Sequence, residues 1–260
     1  MPDPQEALDW QGRPVDCAQC RHRTMRADGG CKPLEACVHD RYAKRIDRFF
    51  GKHPELTQEY MAHPYFEVRA VAAKYLDVFH LMRLRRDPDE TVRGIVAIRL
   101  PQRQLLEMRH DPDREVRIRV AAKLMPDELE PMMHDDDYYV RTLVAKRLPP
   151  GKLALMLHDP ERSVRVVVAR RIDVNLLPTM IDDEDAAVRL EVARRLTEQQ
   201  LALMRRDADW RVRYEVAQRI NIVHLTEMAH DEDAMVQEAA RLRLQDATGA
   251  RNANGKDQQG

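Results

Sequence analysis

Four cysteines lie between positions 17 and 37 and none elsewhere. Cys17 and Cys20 form a CxxC pair, Cys31 follows after ten residues and Cys37 after five more. Two thiolates on one tight turn can reach the same centre, and Asp28-Gly29-Gly30 supplies a turn that brings the second pair back. Four thiolates suit structural zinc or an iron-sulfur cluster. The C-x2-C-x10-C-x5-C spacing matches neither the usual zinc ribbon nor the ferredoxin runs, so spacing alone leaves both metals open. Arg21, His22, Arg23 and Lys32 crowd the segment and would offset thiolate charge in either case, whereas Arg13 and Arg26 read as ordinary solvated charges. A cluster this local is no secreted disulfide framework.

The rest of the chain is a strict repeat. A Val-Arg pair returns every 24 residues at Val68-Arg69, Val92-Arg93, Val116-Arg117, Val140-Arg141, Val164-Arg165, Val188-Arg189 and Val212-Arg213, then as Val236-Gln237. Eight units in one register without insertion indicate a solenoid, in which each unit covers its neighbour's apolar face. Within a unit, Asp87 stands at the N-cap position, Pro88 at N1 and Asp89 and Glu90 in the first turn, so a helix is predicted to start there. Val92, Val96 and Leu100, matched by Val116, Val120 and Leu124, form its core stripe. About ten residues remain per unit, room only for a short partner. The recurring pairs Leu81/Leu84, Leu105/Met108, Leu129/Met132 and Leu153/Met156 predict a 3₁₀ or single-turn helix. Ahead of the repeats, Tyr42, Ile46, Phe49 and Phe50 form an apolar stripe expected to join the cysteine module to the first repeat. Residues 1 to about 14 read as poorly structured.

The unit D-P-D-x-x-V-R-x-x-V-A-x-x-L followed by L-x-x-M resembles the leucine-rich repeat variant, and a four-cysteine module ahead of it is similar to that of the iron-sulfur members of that family. The likeness spans about residues 17 to 245. It implies an all-α, right-handed α-solenoid of alternating α and 3₁₀ helices, with a [4Fe-4S] cluster on Cys17, Cys20, Cys31 and Cys37. It implies no settled activity. His63 in place of the cap aspartate, and Gln237 and Arg241 in the last unit, depart from the pattern, as end units do. The expected domains are a four-cysteine iron-sulfur module at 1–50, an eight-unit solenoid at 51–245 and a disordered polar tail at 246–260.

Two basic columns run along the repeat. The arginines from Arg69 to Arg213 mostly follow an acid by one turn, as in Asp89-Arg93 and Asp113-Arg117, and are expected to pair with it. Lys123, Arg147, Arg171, Arg195, Arg219 and Arg243 have fewer matching acids and are the better candidates for an anionic partner, a solvated face being the plain reading. His110, His134 and His158 form a column expected to serve loop packing, since one ion needs nitrogens within ~2.1 Å. Ile118, Leu143, Val166, Val167 and Leu190 add apolar surface beside the core stripe. Ser163 is the only serine, and GxSxG, P-loop and GxGxxG are all missing, so no enzyme is expected. With 43 basic and 44 acidic residues there is no global field for nucleic acid, and no run reaches the ~18 apolar residues of a membrane span. The start lacks a signal-peptide pattern, so a cytoplasmic protein is expected. The expected function is a protein-interaction scaffold linked to redox chemistry through its cluster. The alternative is a nucleic-acid-binding solenoid whose module holds zinc or iron-sulfur.

Overall fold

The computed structural model describes residues 6–254. The chain forms two compact units, Met1–Glu128 and Leu129–Gly260. The first holds helices α1 (Ala43–Lys52), α2 (Phe66–Ala73), α3 (Glu90–Arg99) and α4 (Arg114–Lys123), each packed on the one before. The second holds α5 (Tyr138–Arg147), α6 (Arg162–Arg171), α7 (Ala186–Arg195), α8 (Trp210–Arg219) and α9 (Ala234–Asn254), packed in the same sequence. Between them lie 3₁₀ segments such as Pro150–Met156 and Val174–Met180, or one α turn running into 3₁₀, as in Val78–Leu81 and Met82–Arg86. Among the described residues the only β pairing is two isolated bridges, Leu8 with Pro14 and Lys32 with Ala36. The fold is thus an all-α solenoid of alternating α and 3₁₀ segments.

The valine stripe explains why the α segments stack. Val92, Val96, Leu100, Val116, Val120 and Leu124 are all fully buried, each contributing about 1.5–3 kcal/mol as an upper bound. Leu105 and Met108, and Leu153 and Met156, bury the 3₁₀ side against the same core. Ala97, Ala121, Ala145, Ala169, Ala193 and Ala217 are likewise sealed, and so small a side chain lets neighbouring helices approach closely. Val167 is buried and Ile118, Leu143, Val166 and Leu190 are half-buried, so these extra apolar residues pack within the stack and leave little open face.

Three local expectations are corrected. The N-cap is Asp89, two residues after Asp87: its carboxylate accepts the Thr91 N–H at 2.9 Å and α3 begins at Glu90. Residues 6–14 are ordered, because Trp10 stacks on Tyr65 at 6.0 Å between ring centroids. Gly12, at φ +81, closes the turn, and the Arg41 N–H donates to the Leu8 carbonyl at 3.0 Å. Helix α9 runs on to Asn254, so residues 246–254 are helical and do not form a disordered tail; adding a residue to an existing helix is far cheaper than nucleating one. Residues 255–260 lie outside the described residues.

Both basic columns turn out to be architectural. Arg93 bonds Asp111, 18 residues ahead, through Nε–Oδ2 at 2.8 Å and Nη2–Oδ1 at 2.9 Å, while its Nη1 donates to the carbonyls of Asp87 and Pro88. Arg69–Asp87, Arg141–Asp159, Arg165–Asp183, Arg189–Asp207 and Arg213–Asp231 repeat this clasp. The expected pairing with the acid one turn earlier fails because that acid is spent as the N-cap. In the second column Arg195 Nη1 and Nη2 donate to the carbonyls of Ala169 and Ile172, both at 2.7 Å. Arg99, Lys123, Arg171, Arg219 and Arg243 do the same one repeat back. These cations satisfy carbonyls at the C-terminus of the preceding helix, where positive charge is favoured.

The departures at the ends obey the same logic. His63 sits where later units have the clasp aspartate, and its Nδ1 accepts the Tyr65 N–H at 3.1 Å, as Asp87 accepts that of Asp89. Gln237 keeps only the arginine's bond to its own loop, Nε2 to the Asp231 carbonyl. Each replaces a charge with a neutral group, which avoids stranding an uncompensated ion.

Candidate metal centre

Local devices position the first three thiols. The Asp16 carboxylate accepts the N–H groups of Ala18 at 2.8 Å and Gln19 at 3.2 Å, winding the CxxC turn, and the His22 N–H points at Cys20 Sγ at 3.4 Å. Gly29 takes φ +70, which favours glycine. A β carbon on Gly30 would lie 3.0 Å from His53 Nε2, and that nitrogen bonds the Gly30 carbonyl at 3.0 Å. Lys52 Nζ donates to the Gly29 carbonyl at 3.0 Å. The end of α1 therefore pins the loop that presents Cys31. Cys37 is buried, and Cys17, Cys20 and Cys31 are half-buried.

Burial and neighbouring charge set the acidity of the two late thiols. Burial pushes the Cys37 thiol up to about 11; the His39 N–H counters this, while Asp40, Cys17 and Cys20 add to it. Burial also raises Cys31, with Cys20 and Cys17 pushing the same way and Arg26 and Lys52 opposing. Each late cysteine thus feels both early ones. Metal-free, Cys37 holds its proton at neutral pH, so ionising it calls for a cationic centre. The donor set fits an iron-sulfur cluster: four thiols, N–H groups aimed at sulfur and flanking cations. Structural zinc would use the same four thiols; among the described residues no three His, Cys, Asp or Glu side chains are gathered to hold one ion.

The centre is joined to the first repeat by a single core. Ile46, Phe49 and Phe50 of α1, Tyr60 of the 3₁₀ helix Pro54–Tyr60, and Val68, Val71 and Ala72 of α2 pack together with Val38, next to Cys37. His22, buried at 5% exposure, bonds the Tyr60 hydroxyl through Nε2 and packs on Phe49. Burial lowers its pKa and holds the ring neutral. Ile46, Phe49 and Phe50 are the expected joint, while Tyr42 lies at its edge beneath the guanidinium of Arg45.

Some residues behave otherwise than their sequence context suggests. Arg21 pairs with Glu59 and Lys32 with Glu35, so neither faces sulfur alone. Arg26 is exposed, as a solvated charge should be, and its charge still favours the Cys31 thiolate. Lys52 and His53 lie outside the cysteine segment and give no local signal. His110, His134 and His158 are exposed, at the rims of open clefts beside the clasps. A cavity of about 690 Å³ reaches Cys20 between Trp10, Arg21, His39 and His63.

The chain is similar to known proteins in both its N-terminal module and its repeats. Residues 7–59 match the family model described as "LRV protein FeS4 cluster". A protein of Rhodobacter capsulatus, described as an uncharacterized 27.7 kDa protein in nifB 3′region, is 47% identical over 93 residues, 36% of this chain and 38% of that relative's length. A solved structure, described as a leucine-rich repeat variant with a novel repetitive protein structural motif, superposes with a TM-score of 0.80 at 40% identity, covering 87% of this chain and 97% of that one. The chain therefore belongs to the leucine-rich repeat variant family, with an FeS4-cluster module at its N-terminal end.

Proposed function

We propose that this protein is a non-enzymatic cytoplasmic interaction scaffold whose partner, a protein, engages the repeats, and whose cluster makes that engagement respond to redox state. Cys17, Cys20, Cys31 and Cys37 hold the cluster; bound there, it supplies one-electron chemistry. Occupied by four cysteines, it leaves no open iron for substrate. The domains follow: a module around residues 1–50, repeats over 51–245 and a short C-terminal extension.

One observation carries this reading: the residues beside Cys37 share one hydrophobic core with α2, the first repeat helix. Anything that loosens the cluster loop is felt first at Val68, Val71 and Ala72. The nucleic-acid alternative loses its main support, since the unmatched basic column caps helices.

Purification without oxygen, iron and sulfide analysis, and voltammetry test the reading. Four irons and four sulfides per chain, a reversible one-electron wave, and redox-dependent amide exchange in α2 are expected. Cys37→Ser should abolish all three. Zinc in place of iron, or exchange in α2 indifferent to redox state, would overturn it.

A further inference from the structure

The loop that carries Cys31 presents an arrangement the cluster does not require. Residues 21–52 contain nine basic and four acidic residues in a chain whose overall balance is 43 to 44. In the repeats the two basic columns are held by clasps and caps. Around this loop the cations stay exposed, although Lys32 pairs with Glu35. Arg26 and Lys52 act on Cys31; Lys32, Lys52 and Arg48 all act on Glu35. Arg48 Nη1 donates to the Glu35 carbonyl and Lys52 Nζ to that of Gly29, so both lean over the loop from α1. Arg26, Lys32, Arg48 and Lys52 are all exposed.

Leu34 stands at the tip of the same loop, inside the turn closed by the Lys32–Ala36 bridge. It is 40% exposed and takes φ +69, the only non-glycine residue with positive φ among the described residues. A leucine in the left-handed region is strained, and strain held at an exposed apolar tip points to function. An exposed apolar knob with Lys32 in its own turn, Arg48 on the neighbouring Glu35 carbonyl and Arg26 and Lys52 beside Cys31 has the anatomy of a protein-docking site: an apolar centre and a mainly cationic rim, Glu35 its one acid, that steers the encounter.

We propose that Leu34 and the ring of Arg26, Lys32, Arg48 and Lys52 form the docking face for an acidic one-electron carrier protein, which passes its electron to the cluster through Cys31. The carrier's reduced centre loses one electron, the cluster gains one, and no bond is made or broken. This rests on the redox reading above. A nucleic acid fits the face less well: such binders neutralise a run of phosphates and stack bases on aromatic rings, and this face offers four cations and a leucine.

The test uses the full cluster-bearing chain and a small acidic plant-type [2Fe-2S] ferredoxin as probe. Affinity is measured by titration from low to high salt, and cluster reduction is followed by stopped flow. Leu34→Gly should relax the strained backbone, leaving thermal stability equal or higher, yet weaken binding at least tenfold. Arg26→Glu/Arg48→Glu should weaken it by a similar factor and flatten its salt dependence. The same charge change in the exposed pair Arg83→Glu/Arg103→Glu should leave affinity unaltered. Equal affinity across all variants, or single-stranded DNA binding more tightly than the ferredoxin and insensitive to Leu34→Gly, would overturn the proposal. A chain that binds the ferredoxin as expected but shows no reversible voltammetric wave would sink the redox reading and leave the docking face standing.

Discussion

Replacing Asp111 with alanine tests the clasp, on which the stacking of repeats depends. Arg93 and Asp111 are each only 8% exposed, and two charge-assisted bonds of 2.8 and 2.9 Å join them. Asp111→Ala removes both and leaves a buried guanidinium with only the Asp87 and Pro88 carbonyls. Stranding such an ion costs about 3–5 kcal/mol, and the retained carbonyl bonds place the expected loss near the lower end, about 3 kcal/mol. Arg93→Met strands the carboxylate instead, although the Asp113 N–H still serves it at 2.9 Å. The double variant strands nothing, so it should cost less than the two singles together by about 2 kcal/mol. Urea unfolding followed by circular dichroism gives the energies. Amide exchange shows whether the loss centres on α3 and α4, as expected where each repeat is stabilised by its neighbours. Additivity to within ~0.5 kcal/mol would mean that the clasp adds no coupling between repeats and that valine packing alone holds them.

Three further outcomes follow from the geometry. Arg195→Met should cost about 1–2 kcal/mol in urea unfolding by freeing the carbonyls of Ala169 and Ile172, while leaving any retention on DNA unchanged. The Arg211 guanidinium bonded to Asp209 lowers its carboxyl from 3.8 to about 2. Because the folded value is depressed, its contribution is complete above about pH 4 and vanishes as pH falls through 2; Asp209→Asn should flatten stability over that window. With Arg211 exposed, solvent screening should keep the effect small. Removing the cluster with a chelator and an oxidant should raise amide exchange over residues 15–40 and leave α6–α8 protected, since metal binding and local folding are coupled; global loss of helix would refute that division.

Repeat register, valine stripe, short partner segment and four-cysteine group could all be read from the chain, because each is written as identity at fixed spacing. The end units were marked too, through His63 and Gln237. Where the charges go was left to the folded chain. Periodicity gives Arg93 two acids in reach, Asp89 a turn away and Asp111 in the next unit, and no rule of spacing ranks them. The fold does, because Asp89 already caps α3, while Asp111 meets the guanidinium out of water, where a two-pronged ionic bond outweighs a solvated i,i+4 pair worth ~0.3–0.5 kcal/mol. The same holds around Cys31. Its cysteine is legible in the chain, but Arg48, Lys52 and His53 join it only because α1 folds back across the loop, and a side chain's reach depends on that return and not on its place in the sequence.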